Sequence, residues 1–198
     1  GASSRLELPN LSSIDGNTTG RSEQILRASS GGTIDLPRLS SVQIPNSGNF
    51  TSVQLEATGA GSMIQAPMLS TFSKQSSALG DLSVLAARDG GQLDMPRLAN
   101  RIGFVEIIID GANSRLPVEN FESIQSSSIR INGPGNVRDF STLIKAEGSS
   151  IFVSGGAEAR FPKLTLYDNT RLTRGTTTLE ARGAGSRLDL SHVQQLTS

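Results

Sequence analysis

The sequence predicts an all-β protein, a single-stranded parallel β-helix with three sides and about eight coils. A short motif recurs along the whole chain, apolar and polar residues alternate over short segments, and no segment has the apolar period of a helix. Repeats of about 20 to 30 residues are typical of solenoids, in which each repeat buries its apolar face against its neighbours. We expect residues 1–198 to form one β-solenoid domain, a fragment of a longer repeat protein. We expect it to be right-handed, as parallel crossover connections usually are.

The repeated motif is Leu-x-Leu-Pro followed by further apolar residues. Aligned on the proline, the copies carry at this position Pro9, Pro37, Pro67, Pro96, Glu119, Arg138, Pro162 and Ser191. Proline has no backbone N–H group, so a recurring proline indicates a bend outside the hydrogen-bonded ladder. At the bend the apolar spacing changes from two residues to three, as in Leu36, Leu39 and Val42.

A second strand-like segment lies before each motif. It alternates with period two, as in Val53, Leu55 and Ala57, which sends one set of side chains inward and the other outward. A glycine then follows at Gly1, Gly59, Gly111, Gly133, Gly155 and Gly183. A glycine at this point predicts a corner with positive φ or with no room for a Cβ atom. Each coil is therefore predicted as strand, glycine corner, strand, proline corner and a third, more variable side.

Composition excludes several classes of function. Lys plus Arg and Asp plus Glu both number 18, so no overall field favours binding to nucleic acid. No apolar run is long enough to span a bilayer, and we predict no membrane insertion. The chain has no cysteine, and His192 is its only histidine, which excludes zinc clusters and triads that need a second histidine. No metal and no cofactor is predicted.

One face of the predicted solenoid carries a ladder of charged residues. The outward position between the motif leucines is occupied by Glu7, Asp35, Gln65, Asp94, Pro117, Asn136, Arg160 and Asp189. Two copies have the same tetrad, from Asp35 to Arg38 and from Asp94 to Arg97. Ordinary solvated ion pairs are one interpretation. The other is a ligand-binding ladder for a repeating polymer such as a polysaccharide, because equivalent residues of stacked strands lie about 4.8 Å apart.

The same carboxylates raise an enzymatic alternative, a polysaccharide lyase or hydrolase. Glycoside hydrolysis needs two carboxylates about 5 to 9.5 Å apart, a separation that Asp35 and Asp94 could provide. Against this, the chain has no Trp, and its one Tyr, Tyr167, is expected to point inward, so an aromatic platform for sugars is missing. We predict no catalytic residue and favour a protein that is not an enzyme.

A second face combines outward apolar residues. The first strand of successive coils is expected to point Leu85, Ile108 and Phe152 outward, with Phe104 two steps from Ile108. An apolar patch of this kind is typical of a partner site or of a surface covered by a loop. The face could therefore bind a protein partner or mediate face-to-face self-association. The ends of the stack could associate end to end, since neither shows a cap.

The segments Leu6–Ile14 and Ile34–Val42 resemble the L-x-L-P-x-L-x-x-I element of β-helical surface-protein repeats of the adhesin-like type. The resemblance covers most of the chain, but the chain lacks the cysteines of receptor L-type domains. It implies a structural or adhesive segment of a larger secreted or cell-surface protein, located outside the cell. A carbohydrate-active enzyme and a self-assembling scaffold are the alternatives.

Overall fold

The computed structural model describes residues 4–16, 22–45, 51–75, 82–99, 102–170 and 176–197. Within them lie 22 short strands and one 3₁₀-helix, Val118–Asn120. The first eleven strands are β1 (Arg5–Glu7), β2 (Ser13–Asp15), β3 (Ser22–Ser29), β4 (Thr33–Asp35), β5 (Ser41–Ile44), β6 (Thr51–Thr58), β7 (Met63–Gln65), β8 (Thr71–Lys74), β9 (Ser83–Arg88), β10 (Gln92–Asp94) and β11 (Ile102–Gly103). The others are β12 (Val105–Asp110), β13 (Ser123–Gln125), β14 (Ser128–Asn132), β15 (Val137–Asp139), β16 (Lys145–Glu147), β17 (Ser150–Ser154), β18 (Glu158–Arg160), β19 (Leu166–Asp168), β20 (Leu179–Arg182), β21 (Arg187–Asp189) and β22 (Gln195–Thr197).

The strands form parallel sheets in which each strand pairs with its equivalent in the next coil, so the predicted parallel β-helix is confirmed. The first side is a seven-stranded sheet in the order β3-β6-β9-β12-β14-β17-β20. The second side consists of two sheets, β1-β4-β7-β10 and β15-β18-β21. The third side is an eight-stranded sheet, β2-β5-β8-β11-β13-β16-β19-β22. We number the coils 1 to 8 by these third-side strands.

The sheet on the third side is the first difference from the sequence-based prediction, which gave each coil two strands. Each third-side strand has only two to four residues. It contributes one deeply buried apolar residue in most coils, such as Val42 or Phe72. A segment this short shows no alternation that could be recognised, and the strand forms because the neighbouring coils provide its hydrogen-bond partners.

The core is a stack of apolar side chains inside the three sides. Leu36, Leu39 and Val42 are fully buried, which confirms the predicted apolar spacing. The rings of Phe140 and Phe161 from successive coils stack with their centroids 4.6 Å apart. Tyr167 is buried as predicted, and its hydroxyl donates a hydrogen bond to the carbonyl oxygen of Ser149. Aligned stacking of equivalent residues thus supplies the apolar burial that stabilises the fold.

The proline corner is a β-turn with proline at its second position. The Leu39 N–H donates to the Leu36 carbonyl at 3.2 Å, so Pro37 occupies the place for which its fixed φ is suited. In coil 6 the equivalent bond joins Leu143 N–H to the Phe140 carbonyl, at 3.1 Å. The residue in place of proline there is Ser141, so the predicted alignment on Arg138 is wrong by three residues. This coil has no proline to fix the alignment.

The predicted outward position of Leu85 is also wrong. Leu85 pairs in register with Leu55 and Ile107, has no exposed surface and belongs to the core. The next residue, Ala86, occupies the outward row and pairs with Ile108. Five successive residues from Val84 to Arg88 include four apolar ones, so the alternation has no readable phase in this strand. Pairing with the neighbouring strands fixes the phase.

The glycine corners have positive φ, as predicted, with values of 90° at Gly59 and at Gly111. They occur in two lengths that the sequence analysis did not distinguish. The three-residue corners are 30–32, 89–91 and 155–157, and the four-residue corners are 59–62, 111–114, 133–136 and 183–186. Three of the longer corners end in a serine whose Oγ accepts the N–H of a glycine in an adjacent shorter corner. These pairs, each at 3.0 Å, are Ser62 with Gly31, Ser114 with Gly90, and Ser186 with Gly156.

Candidate functional site

The second side of the solenoid is interrupted in coil 5, where Pro117 stands at the ladder position. Pro117 has φ −76° and ψ 63°, and the Val118 N–H donates to the Leu116 carbonyl at 2.8 Å. These values describe an inverse γ-turn, and proline has no N–H group with which to continue the ladder. On this side, coil 5 therefore pairs with β10 only through an isolated β-bridge, between Gln92 and Arg115.

A cleft lies over this interruption, between the two sheets of the second side. It has a volume of about 660 Å³ and is open to solvent along one side. Arg115 lies on its glycine-corner side, while Asp94, Glu119 and Asp139 lie on its proline-corner side. Gln65, Gln92 and Asn120 add amide groups. The lining thus combines guanidinium, carboxylate and amide groups, which can bind hydroxyl groups as donors and as acceptors.

Arg138 provides the inner wall of the cleft. It occupies the row that holds Leu93 in coil 4 and Ala159 in coil 7, both buried in the core. Its Nη2 donates to the carbonyl oxygens of Ser114 at 2.6 Å and of Ala112 at 3.2 Å. Its Nε is buried without a hydrogen-bond partner in the described structure.

Burial lowers the pKa of the Arg138 guanidinium, and the like charge of Arg115 lowers this pKa further. The carboxylate of Glu119 acts in the opposite direction. Two guanidinium groups that repel each other therefore share one wall of the cleft. The site places them together at a cost in electrostatic energy that an anionic ligand would offset.

The predicted ladder is present in the first sheet of the second side, but only part of it lies at the cleft. Asp35 and Asp94 are in one row with Gln65 between them, as expected. Asp35 forms its ion pair with Arg5, at 2.7 Å, rather than with Arg38. Arg38 lies on the proline turn and only approaches Asn10, at 3.5 Å. In coil 6 the ladder residue is Asp139, which pairs in register with Arg160, and not Asn136 as predicted.

Several charged side chains on the second side form ion pairs towards the two ends of the stack. In coils 1 and 2 Arg5 contacts Glu7 and Asp35. In coils 7 and 8 Glu158 contacts Arg160 and Arg187. Between them, the cleft residues Asp94, Arg115, Glu119 and Asp139 form no ion pair and no side-chain hydrogen bond with any described residue. These groups are available to a ligand.

Two carboxyl groups of the second side lie outside the cleft and have shifted pKa values. Hydrogen bonds lower the pKa values of Glu158 and Asp189. No cluster of His, Cys, Asp or Glu in the described ranges could hold a metal ion. The guanidinium, carboxylate and amide groups that line the cleft can donate hydrogen bonds to a ligand and accept hydrogen bonds from it.

The predicted apolar partner face is smaller than expected. Leu85 lies in the core, as described above, and Ile108 and Phe152 are half-buried on the outer face of the first side. The guanidinium of Arg130 lies 4.3 Å from the centre of the Phe152 ring and covers it. Phe104 lies at the corner between β11 and β12, with φ 56°, beside a groove on the third side. The four residues do not form one surface.

Sequence reasoning identified Asp94 but missed Arg115, Glu119, Arg138 and Asp139, and the predicted Arg97 lies on the proline turn outside the cleft lining. The available signal was Pro117, because a proline in the ladder row of an otherwise regular repeat predicts an interrupted sheet. No protein-family model, curated protein sequence or solved structure matches the chain. Among the described residues, no helix has the length and apolar content needed to span a bilayer.

Proposed function

We propose that this chain is a binding segment of a larger secreted or cell-surface protein, and that its cleft binds an extended polysaccharide. The observation that supports the proposal is the group of charged side chains that line the cleft without an ion pair to a described residue, whereas Arg5 with Asp35 and Arg187 with Glu158 form ion pairs towards the two ends of the stack. The solenoid supplies a rigid support, and the ligand lies along the stack across coils 3 to 6. An adhesion-type role agrees with the resemblance of the repeats to surface proteins.

The shape and lining of the cleft favour an extended ligand with many hydroxyl groups. Its residues come from strands that succeed one another along the stack axis, so equivalent contacts recur about every 4.8 Å. Carboxylates such as Asp94 and Glu119 accept hydrogen bonds from hydroxyl groups, and the amides of Gln65 and Gln92 both donate and accept. The walls beside them include Met63 and Val137, which can contact the apolar faces of sugar rings.

Binding to soluble polysaccharides, measured by isothermal titration calorimetry, tests the proposal. The ligands are dextran, laminarin, xylan and polygalacturonate. We expect at least one to bind wild type. The variants Asp94→Asn and Glu119→Gln should bind it about tenfold more weakly, because each loses a charge-assisted hydrogen bond. Glu122→Gln, an exposed acid of the same coil outside the cleft, is the matched control and should bind like wild type.

The same samples separate binding from catalysis. After prolonged incubation we expect no new reducing ends and no unsaturated products, because the proposal gives the cleft a binding role with no bond-breaking step. Cleavage that is lost in Asp94→Asn would support the enzymatic alternative instead. If none of the polymers binds wild type, the proposed function is wrong.

A further inference from the structure

The two arginines of the cleft point to a more specific ligand, and this inference rests on the proposed function. The side chain of Arg115 is exposed and forms no hydrogen bond or ion pair with a described residue. Arg138 is held in place by its two Nη2 hydrogen bonds to the corner carbonyls of coil 5. Its Nη1 forms no hydrogen bond with a described residue and is accessible to solvent. The wall near the glycine corner therefore presents one fixed and one adjustable guanidinium group.

A fixed guanidinium in an inward row requires an explanation because it replaces an apolar core residue. The equivalent residues Leu93, Leu116 and Ala159 are buried, and an apolar residue in coil 6 would fill the same space without the cost of desolvating a charge. The bonds to Ser114 and Ala112 offset part of that cost. They also orient the guanidinium towards the cleft beside Arg115, whose backbone directly follows Ser114.

We propose that the polysaccharide is acidic and that one of its oxyanions, a carboxylate or a sulfate, binds between Arg115 and Nη1 of Arg138. Guanidinium groups bind such oxyanions through short charge-assisted hydrogen bonds, and the anion removes the repulsion between the two arginines. No covalent step is involved.

The acidic residues of the cleft set the orientation of the ligand. Asp94 and Asp139 are two rows closer to the proline corner than Arg115, and Glu119 lies in the turn itself. They accept hydroxyl hydrogens and repel a second anion. The acidic group therefore faces the glycine corner, and the hydroxyl groups of the same sugar face the proline corner.

Two pairs of matched polymers test the inference with the intact chain. Polygalacturonate is compared with its methyl ester, and dextran sulfate with dextran, by titration calorimetry at low salt. We expect the charged member of at least one pair to bind about tenfold more tightly than its neutral counterpart. The pair that shows the difference identifies the oxyanion as carboxylate or sulfate.

Arg115→Gln should bring the affinity for the charged polymer close to that for the neutral one. Arg138→Gln should lower the affinity for the charged polymer in the same way. The melting temperature of this variant shows whether the core position tolerates the change. Arg27→Gln, an exposed arginine on the first side, is the control for general loss of positive charge and should bind like wild type.

The results distinguish the inference from the function on which it rests. Equal binding of charged and neutral polymers, with Arg115→Gln unchanged, would overturn the acidic ligand and leave a polysaccharide-binding cleft. Arg27→Gln could also weaken the preference for charged polymers as much as Arg115→Gln does. That result would show a general attraction between charges and would also overturn the acidic ligand. No binding of any polymer to wild type would overturn both proposals.

Discussion

A buried serine at the glycine corner joins one coil to the next through a single hydroxyl group. The Oγ of Ser114 accepts the N–H of Gly90 at 3.0 Å and donates to the Asp110 carbonyl within its own coil. The longer corner thus places a hydroxyl group where the shorter corner leaves a backbone donor without a strand partner. Three adjacent pairs of coils use this bond, so the structural repeat is in part a repeat of two coils.

The contribution of this hydroxyl group can be measured with Ser114→Ala. Ser114 is fully buried, and its loss leaves the Gly90 N–H and the Asp110 carbonyl with one partner fewer. We expect the free energy of unfolding in urea to fall by about 1 to 3 kcal/mol. Asn113→Ala, an exposed position of the same corner, should change it by less than about 0.5 kcal/mol. Equal effects of the two variants would contradict the role of the hydroxyl group.

At the scale of single strands, charge pairing stabilises the outer face of the second sheet on the second side. Arg160 donates two hydrogen bonds to Glu158 in the same strand, at 2.9 and 3.1 Å. Arg187 in β21 contacts Glu158 at 3.1 Å and Asp189 at 3.0 Å. The bonds from Arg160 are the main reason why the pKa of Glu158 lies below its ordinary value of 4.5. Hydrogen bonds from Ser191 lower the pKa of Asp189.

These lowered pKa values predict how stability changes with pH. A carboxyl group whose pKa is lower in the folded than in the unfolded state contributes stability above its unfolded value, and this is lost as pH falls through the folded value. The melting temperature of wild type should therefore exceed that of Glu158→Gln at pH 7. The difference should shrink below about pH 4.5 and vanish when both states are protonated. A difference that stays constant with pH would exclude this electrostatic origin. High salt should reduce it, since the pair is exposed.

The elements differ in how well the sequence predicts them, for reasons that particular residues show. Strand β6 was predicted with its correct inward side because Val53, Leu55 and Ala57 alternate with polar residues. Strand β9 was assigned the opposite phase because almost all of its residues are apolar. Coil 6 was misaligned because Ser141 stands at the position that holds proline in five of the eight copies. The cleft depends on Arg138 reaching the corner of coil 5, a contact between residues far apart in sequence that no local pattern shows.

At the scale of the whole molecule, the continuous sheets of the first and third sides support a second side that is interrupted. The first and third sides run through the stack with seven and eight strands, while the second side is divided at coil 5. Coils 5 and 6 remain in register on the first side, where β12 pairs with β14, and on the third side, where β13 pairs with β16. An interruption on one side is therefore compatible with a regular core, and the cleft forms without a break in the stack.

The phase of the first-side sheet determines which apolar residues stabilise the stack and which are available for contact with other molecules. Ile107 and Ile108 are neighbours of the same residue type, but Ile107 is buried in the core and Ile108 is half-buried on the outer face. Leu85 shares the inward row of Ile107. We expect Ile107→Ala and Leu85→Ala each to lower the free energy of unfolding by about 2 to 5 kcal/mol, because each creates a cavity between packed coils.

Ile108→Ala serves as the matched comparison and should cost about 1 kcal/mol or less, since it leaves no enclosed cavity. Urea unfolding measures the three free energies, and light scattering measures the mass of each variant. A mass that changes in Ile108→Ala while its stability does not would show that the outer face of this sheet joins copies of the chain. A cost for Leu85→Ala as small as that for Ile108→Ala would contradict the inward row, since a solenoid coil depends on contacts with the coils on either side of it.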